Sequence, residues 1–179
     1  GARPPPPPPP PSPAGGPSPA GEPPPRAVGA SNTPADLLLP RIVRAFVRAH
    51  PGVRVSLSVK DSAEVAEEVL AGKVELGLVG MRSARPELAH ENVVEDEIVL
   101  VAAPSLGLGP EPIPAARLGG LRRIDREPGS GTRAVVEEHL ANMGVSLDPS
   151  SAALEVGTLV GVKTAALSGM GVAFVSRLA

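Results

Sequence analysis

Leu38, Leu39, Ile42, Val43, Phe46 and Val47 recur at spacings of three and four residues, the period of one helical face. Directly downstream the period changes. Val53 to Val59, "VRVSLSV", alternates apolar and polar residues, as a half-buried strand does. This change of period repeats along the chain. The pattern predicts a short strand in "RAVGAS", a helix running from Thr33 toward His50, and the strand at 53–59. A helix in "DSAEVAEEVLAG" follows, started by Asp61 with Glu64 in a capping-box arrangement and stopped at Gly72. Strands are predicted in "VELGLVG" and "EDEIVLVAAP". A second series then holds a short helix or turn in "PIPAARLGG", a strand in "LRRIDRE" and a helix in "SGTRAVVEEHLANMG". It closes with a strand in "AALEVG", a helix in "TLVGVKTAALSG" and a strand in "MGVAFVS". Thr33 is placed to cap the first helix with Pro34 at its first position, and Pro40 to kink or restart it.

Alternating strands and helices imply parallel sheets joined by right-handed crossovers. Two successive βαβαβ units, joined near residues 96 to 113, predict an α/β fold of two Rossmann-like lobes with a cleft between them. The expected boundaries are a tail over 1–26, lobe I over 27–103 and lobe II over 104–179. Composition separates the tail from the rest. Residues 1 to 25 hold fourteen of the 24 prolines and no aliphatic side chain larger than alanine. Such a stretch cannot bury a core, and polyproline II or disorder is expected.

In open parallel sheets, ligands sit beyond the carboxyl ends of the strands, near helix N-termini. The strand-to-helix turns of this chain are "GASNTP" (Gly29 to Pro34), "VKDSAE" (Val59 to Glu64), "REPGSGTR" (Arg126 to Arg133) and "VGTLVG" (Val156 to Gly161). All four carry serine or threonine. Taken singly, each hydroxyl is more often an N-cap than a ligand contact. Taken together, two turns per lobe predict a cleft lined by hydroxyls and free backbone N–H groups, suited to a small anion or polar metabolite.

Charge and rarer residues narrow the function. The net charge is -2 with acids and bases mixed, which is not the footprint of a DNA-binding surface. Tryptophan and tyrosine are absent, which excludes a stacking platform for single-stranded nucleic acid. The chain holds no cysteine, so it has neither disulfides nor thiolate metal sites, which favours a reducing compartment. No stretch is long and apolar enough for a membrane span, and the first residues lack the pattern of a secretory signal. Several sharper motifs fail. "GTLVGVKT" lacks the glycine that a phosphate-binding P-loop needs before its lysine, and Lys163 reads as a solvated helix residue. "GSGT" has Pro128 where a serine-nucleophile elbow needs glycine. His50 reads as a helix end and His90 and His139 as surface residues, too far apart to bind a metal. The pairs Glu67-Glu68 and Glu137-Glu138 read as solvated helix faces. No catalytic residue, metal site or cofactor is expected, and an enzyme is the least expected class.

Five segments carry a further signal. They are "VGASNTPADLLLPRIVRAFVRAHPGVRVSL", "VLAGKVELGLVG", "EDEIVLVAAP", "REPGSGTR" and "LEVGTLVGVKTAALSGMGVAFVSR". Their content and order resemble the effector-binding domain of the LysR-type transcriptional regulators, over about Ala27 to Ala179. The resemblance implies a fold like the type 2 periplasmic solute-binding proteins, two α/β lobes crossed by two hinge strands. It implies a small-molecule effector in the cleft, a cytoplasmic protein, and a homo-oligomer, a tetramer in the intact family member. By position it implies effector contacts from Ser31, Thr33 and Ser62, from Gly129, Ser130 and Thr132, and from Gly157 and Thr158. Arg126 and Arg133 are candidates to add charge for an anionic effector. DNA is expected to be contacted only through a helix-turn-helix that this chain does not contain, and no membrane is expected as a partner. The family's chain returns through a second hinge strand to complete lobe I, and that return is expected to be missing here, leaving an edge prone to aggregation. The alternative reading is a solute-binding protein of a transport system with the same fold. A third takes the tail as a ligand for SH3-like grooves.

Overall fold

The structure, a computed structural model, describes residues 24–179. The readings of the tail as polyproline II, disorder or an SH3 ligand therefore lie outside the described residues, except that Arg26 opens the first strand. Strand β1 (Arg26–Ser31), helices α1 (Asn32–Leu37) and α2 (Leu39–Ala49), β2 (Val55–Lys60), α3 (Ser62–Leu70) and β3 (Leu76–Leu78) form the first unit. The second contains β4 (Ile98–Val101), α4 (Ala115–Leu118), β5 (Arg123–Arg126), α5 (Gly131–Asn142), β6 (Ala152–Val156), α6 (Leu159–Leu167) and β7 (Val172–Ser176). The first sheet has the order β2-β1-β3 and is parallel throughout. The second has the order β4-β7-β5-β6.

Two expectations are corrected here. Strand Ile98–Val101, assigned to lobe I by the boundary at 103, pairs antiparallel with β7 in the second sheet, Ile98 opposite Ser176 and Val101 opposite Ala173. The sheets are thus not wholly parallel. All four residues of β4 are half-buried and apolar, which fits the open side of the buried strand β7. The long link from Val79 to Glu97 carries no helix or strand and lets the chain cross to the second sheet. The first helix also begins earlier than expected. Ser31, not Thr33, stands at the N-cap, and Pro34 lies one turn inside. A proline is tolerated there because the first amides of a helix have no internal acceptor. Pro40 restarts the helix as expected: α1 ends at Leu37 and α2 begins at Leu39.

Packing explains the remaining geometry. On one face of the first sheet, Ala35 and Leu39 bury against Ala30, with Val28, Val43 and Leu78 around them. On the other, Val65 of α3 lies 0% exposed above Gly29 and Gly77. A Cβ at Gly77 would come within 2.6 Å of a Val65 methyl, so the glycine lets α3 settle close to the strands. In the second sheet, α6 packs Leu159, Val162, Ala165 and Ala166 on Ile124, Ala173 and Val175. On the opposite face, Leu118, Val136 and Leu140 pack with Ile98, Leu100 and Phe174. Beneath α5, Arg123 is 2% exposed and pairs with Asp125 at 3.3 Å and with the Asp148 carbonyl at 2.8 Å.

Candidate functional site

The carboxyl ends of β1, β2, β3 and β5 meet at one place between the two sheets. From β1 come Ser31, Asn32 and Thr33; beyond β2 come Asp61 and Ser62; beyond β3 comes Gly80; beyond β5 come Arg126, Ser130, Gly131 and Thr132. These ten residues surround a cleft of about 10 Å³, room for roughly one water. Its narrowness has a direct cause. A Cβ at Gly131 would lie 2.9 Å from Ser62 Oγ, 3.1 Å from the Gly80 carbonyl carbon and 3.2 Å from the Met81 nitrogen. A Cβ at Gly129 would lie 2.7 Å from the Asp61 carboxylate, and Gly129 holds φ +89, a conformation that favours glycine. Two glycines therefore let the second unit's turn close onto the start of α3.

Each polar side chain has a definite assignment. Ser31, 7% exposed, accepts a hydrogen bond from the Gly80 amide at 3.2 Å and ties the ends of β1 and β3 together. Ser130, 3% exposed, caps α5 by accepting from the Arg133 amide at 3.5 Å. Asp61 caps α3 through Oδ1, which accepts from the Glu64 amide at 2.8 Å. Ser62, 3% exposed, has a buried Oγ with no hydrogen-bond partner. A buried hydroxyl left so is unfavourable, and a hydrogen-bonding partner brought to it would relieve the cost. The first-turn amides of α3 and α5 add donors that a helix cannot satisfy internally.

The two arginines are not free countercharges. Both Nε and Nη2 of Arg126 donate to the Glu127 carboxylate at 2.7 Å. Arg133 Nη1 donates to the Arg126 carbonyl at 2.8 Å and to Glu155 at 3.0 Å, and its Nε to Glu137 at 2.8 Å. The carboxylate of Glu137, then that of Glu155, holds this guanidinium even more firmly protonated than usual. The charged groups lining this cleft are Asp61 and the Glu127-paired Arg126, and its other polar lining is hydroxyls and amides.

A wider cavity of about 420 Å³ adjoins the cleft and shares Thr33, Gly80 and Thr132 with it. Its lining also includes the ionisable Asp96, Glu97 and His139 and the apolar Ile98, Val136 and Phe174. As it stands the cleft has room for about one water, and the adjoining cavity has room for a larger body.

Ser31, Thr33, Ser62, Ser130 and Thr132 line the cleft, and Gly129 packs against it through Asp61. Gly157 and Thr158 do not line it. Both are exposed; Thr158 caps α6 by accepting from the Gly161 amide at 3.1 Å, and the Gly157 carbonyl accepts from Asn32 Nδ2 at 3.2 Å, a bond between the two units. Sequence reasoning missed Asn32 and Gly80. Gly80 lies just beyond a strand that no helix follows, so a search confined to strand-to-helix turns passes over it. Elsewhere, Lys163 is half-buried and donates to the Ala179 carbonyl, not a solvated side chain. Glu68 is held by Lys60 at 3.0 Å and Ser58 at 3.1 Å, so it is no free helix face. Among the described residues no cluster of His, Cys, Asp and Glu could hold a metal, and no helix is long and apolar enough to cross a membrane.

Residues 25–179 match the family model for the LysR substrate binding domain. A segment of the phosphonates import ATP-binding protein PhnC of Anaeromyxobacter dehalogenans is 62% identical over 152 residues, 85% of this chain and 30% of that protein. The HTH-type transcriptional regulator YeiE of Escherichia coli K12 is 32% identical over 148 residues, 83% of this chain and 50% of that protein. This chain thus spans half or less of these curated relatives. Among solved structures, the regulatory domain of Synechocystis PCC6803 CcmR in complex with 2-PG superposes with a TM-score of 0.75. It is 25% identical, and the match covers 85% of this chain and 72% of that one. The effector-binding domain of QuiR in complex with shikimate has a TM-score of 0.73 at 15% identity, over 84% and 72% of the two chains, a likeness of fold.

Proposed function

This chain belongs to the LysR substrate-binding-domain family, and on that premise we propose that it senses a small oxyanion, a phosphate- or phosphonate-bearing metabolite, for a LysR-type transcriptional regulator. The observation that carries the ligand class is the buried, unpartnered Ser62 hydroxyl in a cleft where serines, threonines and first-turn amides converge from both sheets. Such neutral donors suit an oxyanion, because each oxygen accepts several hydrogen bonds. The 62% identity to a protein named for phosphonate import, and the likeness to a domain bound to 2-PG, support the same class. The proposed contacts are Ser31, Thr33, Ser62, Ser130 and Thr132, with Gly129 shaping the turn. Gly157 serves the contact between units through Asn32, Thr158 caps α6, and neither is assigned to the ligand.

The mechanism is a shift between arrangements of two lobes, one built on the first sheet and one on the second, with the boundary in the link before Ile98. The ligand bridges the start of α3 and the start of α5, so it favours whichever spacing satisfies both. No chemical step is assigned to the site. Transmission to DNA belongs to a helix-turn-helix outside this chain, in a cytoplasmic regulator. Self-association is supported by exposed apolar side chains on both units: Ile42, Phe46, Leu57 and Val59 on one, Val160 and Leu167 on the other. The relative named for phosphonate import favours a second output, in which the same sensor reports to a transporter.

Calorimetric titration of the full chain with phosphate, methylphosphonate and 2-PG tests the reading, repeated with Thr33→Ala and Thr132→Ala. Binding weakened in both variants is expected. Equal affinity in all three proteins, or no binding by the unaltered chain, overturns it.

A further inference from the structure

One wall of the cleft conflicts with a site made only of donors. Asp61 presses its carboxylate against the Gly129 turn, next to the unpartnered Ser62 hydroxyl and on the same cavity. Its Oδ1 accepts from the Glu64 amide, and among the described residues no bond engages Oδ2. A carboxylate is an acceptor only, so whatever meets Oδ2 has to bring a hydrogen. The charges around it are few. Lys60 and Glu64 belong to its own segment, and Lys60 is already engaged by Glu68 at 3.0 Å. Across the cleft, Arg126 is neutralised by Glu127. Among the described residues Lys60 is drawn to the Asp61 carboxylate, yet its hydrogen bond goes to Glu68, so it offsets that charge only in part for a fully ionised ligand.

We propose that Asp61 is a specificity-determining residue, which makes this cleft select oxyanions that retain a proton and reject those that do not. The proposal rests on the oxyanion reading above and adds the direction of one hydrogen bond. Hydrogen phosphate and a hydrogen phosphonate donate to Oδ2 while their other oxygens accept from Ser62, the α3 amides and the α5 turn. Sulfate has no hydrogen to give. It sets two acceptors and two negative charges face to face, in a place with little water to screen them. Asparagine at position 61 keeps the helix cap and replaces the charge with an amide that donates, so the selection disappears.

The test titrates the full chain with inorganic phosphate, methylphosphonate and sulfate, unaltered and as Asp61→Asn and Asp61→Ser, both of which retain an N-cap. The unaltered chain is expected to favour phosphate over sulfate by about tenfold or more. In Asp61→Asn the ratio falls toward one because sulfate binding rises. A pH series separates the cause from general electrostatics. Phosphate keeps a hydrogen from about pH 6 to pH 9, whereas methylphosphonate loses its last one in that range. Only methylphosphonate should weaken with pH, and only while Asp61 is present. Equal binding of sulfate and phosphate by the unaltered chain, or an unchanged ratio in both variants, overturns the role of Asp61 and leaves the oxyanion reading standing. Binding of none of the three anions by the unaltered chain overturns both.

Discussion

Substituting Gly77 by alanine tests how α3, and with it Asp61 and Ser62, is held in place. The new Cβ would sit 2.6 Å from Val65 Cγ1 and 3.3 Å from Val69 Cγ2. Val65 is 0% exposed and β-branched, so it has no free rotamer in which to retreat. Forcing one methyl into such a contact costs about 1–3 kcal/mol. Alanine in a strand recovers about 0.5–1 kcal/mol over glycine. Gly77→Ala should therefore lose up to about 2.5 kcal/mol net. Val65→Ala alone removes two buried carbons and leaves a cavity, a loss of about 2 kcal/mol. In the double variant the clash is gone, and adding the Gly77 substitution to Val65→Ala should be neutral or stabilising. The resulting coupling is about 1–3 kcal/mol. Urea denaturation of the four proteins measures it. A coupling below about 0.5 kcal/mol would mean the strand accepts the methyl without Val65 yielding, and the argument for a glycine-seated α3 fails.

Other predictions follow the same logic. Ser62→Ala should stabilise the unliganded chain by about 1 kcal/mol, since it removes an unsatisfied hydroxyl, while weakening oxyanion binding. Thermal shift with and without phosphate reads both signs, and a fall in unliganded stability contradicts the assignment. Thr158→Ala should cost about 1 kcal/mol through loss of the α6 cap and leave affinity unchanged in calorimetry. The hydrogen bond from Lys60, aided by Ser58, holds the Glu68 carboxyl below the usual glutamate range. A carboxyl depressed in the folded state stabilises above its unfolded pKa, and that contribution is lost as pH falls through the folded one. Urea midpoints should consequently fall less steeply with acid in Glu68→Gln than in the unaltered chain.

The order of elements was readable because apolar period and punctuation agree. Pro40 restarts a helix, Gly72 and Gly144 stop two others, and Asp61 caps the one that Gly72 stops, each a local effect. Partnership was not readable. The run Ile98–Val101 announces a strand, but nothing in its own residues says which sheet has an open side to receive it. The helix start was displaced by two residues because proline is accepted at several first-turn positions, not only the first. Among the candidate residues, the hydroxyls of Ser62 and Thr158 look alike in sequence. They differ only in that Thr158 is satisfied by its own helix and Ser62 is buried against the opposite turn. That distinction depends on Gly131, 69 residues away along the chain, and on the closeness it permits.

The near-contact of Gly131 with Ser62 also bears on timing. With space for a single water, the resting hollow admits no metabolite, so capture waits for the halves to part. Loading should accelerate with concentration only up to the frequency of that breathing motion, and then level off. Compounds of very different affinity would share one ceiling speed of arrival and differ in how long they stay. The tempo of the response is then set by the segments that flex between the sheets, and its duration by the occupant.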